Sequence, residues 1–319
     1  MKRLKNCAIL ILSCVIFTSC DDVFEEDITG DIVQIISPTS GQVIQGNTVV
    51  FSWQELDGAD DYRIQVINDA QLNVVDSLVT NITSIDFILD PGNYNWRIKG
   101  ENFAYETQYN FPVSFSVEAS DDLTNQSVSL LTPTEGFYTN DPNIIFTWNA
   151  ISTAEDYTVE IIKNLNGLQT VLQQQGITNE NLAVNASVFD EDAEYMWKVK
   201  AVNSTSETPF SERSLFVDRV QPNQPALNTP LDNELLDDVT VTFNWVNGLD
   251  TGNIQSEISN TIEISTDINF STIIHTDTTT NNTYQYTFDA SGIYYWRVKA
   301  VDLAQNESDF SISRTLEIQ

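Results

Sequence analysis

Cysteine is nearly missing from this chain: of 319 residues only Cys7, Cys14 and Cys20 are cysteine, and all lie in the first twenty positions. Beyond residue 20 no disulfide can form, and neither a cysteine nucleophile nor a Cys/His zinc site is available. Histidine is scarcer still, with His275 the single example. A serine triad would have to use it, yet no glycine-flanked serine elbow accompanies it, so His275 reads as an incidental surface residue. After the first twenty residues there is no apolar run long enough to span a bilayer, no stretch of helical periodicity, and no glycine-rich loop between a strand and a helix to cradle a nucleotide. Cations are few as well, 14 Lys and Arg against 46 Asp and Glu, for a net charge of −32. That surface repels nucleic acid and anionic phospholipid, which argues against both as direct partners.

The one apolar run is Ala8 to Phe17, preceded by Lys2, Arg3 and Lys5. A positive start and a short apolar stretch make residues 1–19 a signal peptide. The segment Phe17-Thr18-Ser19-Cys20 resembles the lipobox of bacterial lipoproteins, which implies acylation of Cys20 and a membrane attachment through that lipid; a plain secretory signal cleaved near Ser19 is the alternative. Asp21, Asp22, Glu25, Glu26 and Asp27 follow at once. This acidic run resembles the export signal that carries lipoproteins of Bacteroidota to the outer face of the outer membrane, with a solvated linker as the alternative. Residues 20–31 are expected to be the lipidated cysteine and its tether.

The remainder is a threefold repeat. The six tryptophans form three pairs, Trp53 with Trp96, Trp148 with Trp197 and Trp245 with Trp296, and the second members stand in the phrases YNWRIKG, YMWKVKA and YYWRVKA, about 100 residues apart. Each unit has an early strand ending in tryptophan, an alternating strand such as Tyr62, Ile64 and Val66, and the tryptophan phrase itself, whose period of two puts Tyr94, Trp96 and Ile98 on one face. Short Val-, Ile-, Thr- and Tyr-rich runs punctuated by Gly, Asp and Asn predict an all-β fold of three tandem sandwiches, over 32–118, 127–218 and 221–319. The tryptophans, with Tyr94, Tyr195 and Tyr294, are expected in the cores, each later tryptophan against its early partner. On these phrases each unit resembles a fibronectin type III domain, which implies an immunoglobulin-like sandwich and leaves function to whatever sites are grafted on it.

Sites are sought on that frame. The acidic groups Asp57-Gly58-Ala59-Asp60-Asp61, Asp190-Glu191-Asp192 and Asp237-Asp238 lack the alternating spacing of a calcium loop and read as turns, so no metal and no cofactor is assigned. Arg97, Lys99, Lys198, Lys200, Arg297 and Lys299 line the outward face of the tryptophan strands, where they neutralise neighbouring acids such as Glu160 and Glu263 or form a docking stripe for an anionic glycan. Phe103 and Tyr105 are the candidate ligand-binding aromatics, in a last hairpin that also holds Tyr109 and Phe111, the latter alternating with Phe115 as an inward residue should. Asp76-Ser77-Leu78 and Asp277-Thr278-Thr279 resemble short O-glycosylation sites of Bacteroidota, making Ser77 and Thr278 candidates, with ordinary strand hydroxyls as the alternative. Pro222 and Pro225 are expected to stiffen the second spacer. The expectation is a non-enzymatic, lipid-anchored envelope protein whose partner is a polysaccharide or another envelope protein; a passive spacer or an accessory subunit of an outer-membrane uptake complex is the alternative, with a hydrolase accessory behind it.

Overall fold

A computed structural model describes residues 25–69 and 74–319; Cys20, Asp21, Asp22 and the expected signal peptide lie outside the described residues. The first eight strands are β1 (Ile35–Ser37), β2 (Gln42–Gln45), β3 (Thr48–Trp53), β4 (Asp61–Asn68), β5 (Val74–Thr80), β6 (Ser84–Ile88), β7 (Gly92–Glu101) and β8 (Val113–Glu118). The second set is β9 (Leu130–Thr132), β10 (Phe137–Thr139), β11 (Ile144–Trp148), β12 (Asp156–Asn164), β13 (Leu168–Ile177), β14 (Asn181–Val184), β15 (Ala193–Val202) and β16 (Ser211–Val217). The third is β17 (Ala226–Thr229), β18 (Glu234–Leu236), β19 (Thr240–Val246), β20 (Ser259–Ser265), β21 (Ile273–Thr279), β22 (Thr283–Thr287), β23 (Gly292–Val301) and β24 (Arg314–Ile318). Each set makes a three-stranded and a five-stranded sheet in the same order, for example β9-β11-β14 with β10-β16-β15-β12-β13. The all-β sandwich expected from the strand pattern is therefore present three times. Two compact units are found: one holds most of the first sandwich, the other the second and third sandwiches together with Val43–Val49 and Phe87–Pro91.

Alternation decides which side chains face inward. β7, β15 and β23 bury every second residue, and in register Trp96 lies opposite Val66, Trp197 opposite Ile161 and Trp296 opposite Ile264. All six tryptophans are buried, as are Tyr94, Tyr195 and Tyr294. At roughly 25 cal/mol per Å² each indole contributes several kcal/mol of gross stabilisation, which a disulfide-free sandwich of this size needs. The expected pairing of tryptophan on tryptophan is corrected. Each later tryptophan takes the phenylalanine two residues before the early one, with Phe51–Trp96, Phe146–Trp197 and Phe243–Trp296 ring centroids all 4.9 Å apart. Trp53 and Trp148 instead lie 5.4 Å from Tyr62 and Tyr157 on the next strand. Alternation is the cause: the phenylalanine and the tryptophan both point inward, but at different depths along the strand.

The tether also ends earlier than expected. Ile28 is buried, Asp27 Oδ1 accepts from the Thr29 backbone and hydroxyl, and the Glu26 carbonyl is held by Asn102, so from Glu26 onward the chain is strapped to the first sandwich. The spacers behave in the same way. Leu123 belongs to the second core although the sandwich was expected to begin at 127. After the second sandwich, Asn223 N donates to the Leu249 carbonyl (2.9 Å), Gln224 Nε2 donates to the Phe310 carbonyl, and Gly248 lies so close to Asn223 that a Cβ there would collide with its carbonyl oxygen. The stiffness expected of Pro222 and Pro225 is thus reinforced by backbone docking.

Candidate functional site

The basic stripe is already occupied by partners. Lys99 pairs with Glu101 (2.9 Å) and Glu106, Lys198 with Glu212 (2.7 Å), Lys200 with Glu207 (2.7 Å), Arg297 with Glu263 (2.6 Å) and Lys299 with Glu307 (2.6 Å). Arg97 donates to Gln65 and lies over the Tyr109 ring at 4.3 Å, and Arg297 sits between Phe270 and Phe310 at 4.0 and 3.8 Å. Glu263 plays the part expected of it; Glu160 accepts from Gln173 instead. Desolvated, ring-stacked and paired cations are poor candidates for gripping an anionic polymer.

The aromatic cluster divides. Phe103 is 93% exposed and Tyr105 38% exposed, as candidates for a ligand surface require, and Tyr109 is covered by Arg97. Phe111 is corrected: it is 93% exposed, whereas Phe115 is buried. The Asn110 side chain accepts from Ile98 N in place of a strand partner, Pro112 has no N–H to give, and β8 starts only at Val113, so Phe111 lies outside the alternation. Ser77 lies on β5 opposite Ile64, with its side chain outside the described ones. Thr278 is exposed on β21, its hydroxyl 3.3 Å from that of Thr261. His275 is half-buried, 2.8 Å from the Tyr284 hydroxyl, which itself donates to Asp277 (2.8 Å). Burial and the Asp277 hydrogen bond push the Tyr284 phenol up to about 12. The acidic turns hold local cations: Lys163 meets Asp190 and Glu191, and Arg219 meets Asp192.

A corner repeated in all three sandwiches carries chemistry that adjacency in sequence conceals. The residue just after β7 is Asn102, after β15 Asn203, and after β23 Asp302. Asn102 Nδ2 donates to the carbonyls of Glu26 (2.9 Å) and Gly58 (2.8 Å), tying the entry strap to the turn after the early strand, while its Oδ1 accepts from Ala104 N and Tyr105 N. Asn203 repeats this with the carbonyls of Asp121 (2.8 Å) and Thr153 (3.2 Å) and the amides of Thr205 and Ser206. Asp302 has no such hydrogens to give. There the strap carbonyl, that of Asp218, is taken by Asn306 Nδ2 (3.0 Å), which also donates to Asp302 Oδ2 (2.8 Å), and Asn306 Oδ1 accepts from Asn140 of the second sandwich (3.2 Å).

Three acids converge at that third corner: Asp218 directly after β16, Asp250 in the loop between β19 and β20, and Asp302. One oxygen from each lies within 4.8 Å of the others. Asp218 is 0% exposed and Asp302 2%. Most of their oxygens are fixed by donors: Asp218 Oδ1 by Val220 N (3.0 Å), Asp250 Oδ2 by Ser256 N (2.7 Å) and Asp302 Oδ1 by Asn306 N (2.8 Å). Asp218 Oδ2 is buried with no partner. No lysine or arginine among the described residues pairs with any of the three. At an effective dielectric of about 20, two such charges repel by roughly 3 kcal/mol. Burial, with the charges of Asp250, Asp302 and Asp192, pushes the Asp218 carboxyl up to about 6, against the hydrogen bond from Val220. The donor set is all oxygen, which suits a hard divalent cation and not zinc. The expectation of no metal site rests on acids adjacent in sequence and misses this cluster, whose members come from three separate elements. The visible signal is KAVD where the other repeats read KGEN and KAVN.

No protein-family model matches the chain, and no curated protein does. Among solved structures it is similar to the FN1–FN3 domains of chicken CNTN1, at 16% identity over 90% of this chain and 97% of that one with a TM-score of 0.40. It is also similar to the chicken interferon gamma receptor alpha chain, at 12% identity over 60% of this chain and 96% of that one with a TM-score of 0.26.

Proposed function

We propose that this chain is a lipid-anchored protein of the bacterial cell envelope, attached through Cys20, that displays three sandwiches as a non-catalytic interaction array. The contact surface is formed by the exposed aromatics of the last hairpin of the first sandwich, Phe103 in its turn and Phe111 further along it, and the partner is a neutral glycan. One observation carries the reading: Phe103 and Phe111 are both 93% exposed, while Phe51 and Phe115 of the same sandwich are buried. Exposed aromatic faces offer sugar rings a stacking surface without any need for opposite charge. The excess of carboxylates favours a neutral over an anionic polymer. Glycan-array binding by the full-length protein and by a Phe103→Ala, Phe111→Ala double variant tests this. Binding lost in the variant supports the hairpin aromatics as the contact; equal binding by both moves the site elsewhere.

A spacer, or an accessory subunit of an outer-membrane uptake complex, is the second reading, favoured by the pairing of the six stripe cations. Absence of binding to every glycan, with no cross-linked partner, would decide for it. Palmitate labelling in the native host tests the anchor: wild type is marked and Cys20→Ala is not, and equal labelling ends that part of the proposal.

A further inference from the structure

We propose that a hard divalent cation, calcium foremost, binds between Asp218, Asp250 and Asp302 and fastens the second sandwich to the third. Three observations independent of one another carry this. The first is distance. Calcium–oxygen contacts run about 2.3–2.6 Å, so two oxygens on one ion stand up to about 5 Å apart, and the three carboxylates lie within 4.8 Å of each other.

The second is the orphaned oxygen. Asp218 is wholly buried, and its Oδ2 has no hydrogen-bond partner, a state that costs stability unless a proton or an ion supplies what the protein does not. The other oxygens are steadied by Val220 N, Thr251 N, Ser256 N, Asn306 N and Asn306 Nδ2, so the cluster is held in place before any ion arrives.

The third is the comparison of repeats. Asn102 and Asn203 close the first and second corners with an amide that donates to carbonyls on both sides. The third corner replaces that amide by Asp302 and surrounds it with two more acids, exchanging donors for acceptors at one place in one fold. A cation is the group that satisfies acceptors facing each other. Asp218 leaves the last strand of the second sandwich, whereas Asp250 and Asp302 belong to the third, so one ion would bridge both. Asp250 is half-buried and gives the ion its way in; the remaining coordination positions fall to water.

The test is calorimetric titration of calcium chloride into full-length protein, purified in detergent and stripped with chelator, alongside its thermal unfolding. One ion per chain is expected, and about 10 mM calcium should raise the unfolding midpoint by about 5 °C. Asp302→Asn installs the residue that the other two corners carry and is expected to fold; it should weaken calcium binding about tenfold or more and raise the midpoint in chelator. Asp218→Asn should do the same. An Asp237→Asn, Asp238→Asn double variant removes two acids elsewhere and should keep the full calcium response. The proposal is overturned by a wild type that shows neither binding heat nor a midpoint shift, by an unchanged response in Asp218→Asn and Asp302→Asn, or by an equal loss in the double variant, which would reduce the effect to general charge screening.

Discussion

The corner after β15 and the corner after β23 occupy the same place in two copies of one fold, and they solve one problem in opposite ways. Asn203 brings two donors and one acceptor to a gap lined with carbonyls and amides, and each group finds its complement within the sandwich. Asp302 brings acceptors only, next to Asp218 and Asp250, and its one neutral helper, Asn306, spends both amide hydrogens on it and on the Asp218 carbonyl. A junction closed by an amide is complete at any ionic condition, whereas one closed by three carboxylates depends on what the solvent supplies. One strand order thus carries two different corners.

The comparison can be broken or sharpened by substitution. The largest effect is expected where the strap itself is dislodged. Gly248→Ala drives a methyl group against the Asn223 carbonyl and should destabilise the third sandwich by about 3 kcal/mol, seen as a lower urea midpoint. If the midpoint holds, the strap is not what seats Asp218. Next comes Asn203→Asp, which makes the second corner resemble the third without its neighbouring acids. Loss of both carbonyl hydrogen bonds should cost about 2 kcal/mol by denaturant unfolding at neutral pH, and an unchanged value would mean that the amide was idle. The reverse exchange, Asp302→Asn in chelator, should stabilise by about 1 kcal/mol, because a like charge leaves a buried site. Lys200→Ala should shift stability by no more than about 0.5 kcal/mol, since its partner Glu207 is well exposed; a larger loss would give the outward stripe a structural weight denied to it here.

The fold was legible because its signals are local. Period-two alternation through Tyr94, Trp96 and Ile98 needs no knowledge of the partner strand to say which face is inward, and the same phrase three times sets the length of the repeat. Legibility failed where a residue's role depends on another element. Ile28 and Leu123 look like parts of polar tethers until their sandwiches close over them. Phe111 fits the alternation of β8 on paper, but the Asn110 side chain has taken the place of a ladder bond and Pro112 delays the strand. The acid cluster is the extreme case. Asp218, Asp250 and Asp302 sit in three loops with nothing between them in sequence to suggest a meeting, and the acids that do adjoin, such as Asp190 and Glu191, turn out to serve Lys163. A column-by-column comparison of the repeats would have exposed the change from Asn to Asp, because the chemistry lies in where the copies differ.

The entry strap of the third sandwich has a mechanical meaning. β16 ends at Val217, and the very next residue is already engaged, its amide donating to the Thr139 carbonyl and its carbonyl accepting from Asn306. There is no slack to draw out between these two sandwiches. A pull along the chain would load hydrogen bonds and core contacts at once, without first straightening a linker, so this segment would transmit force as a strut and not as a leash.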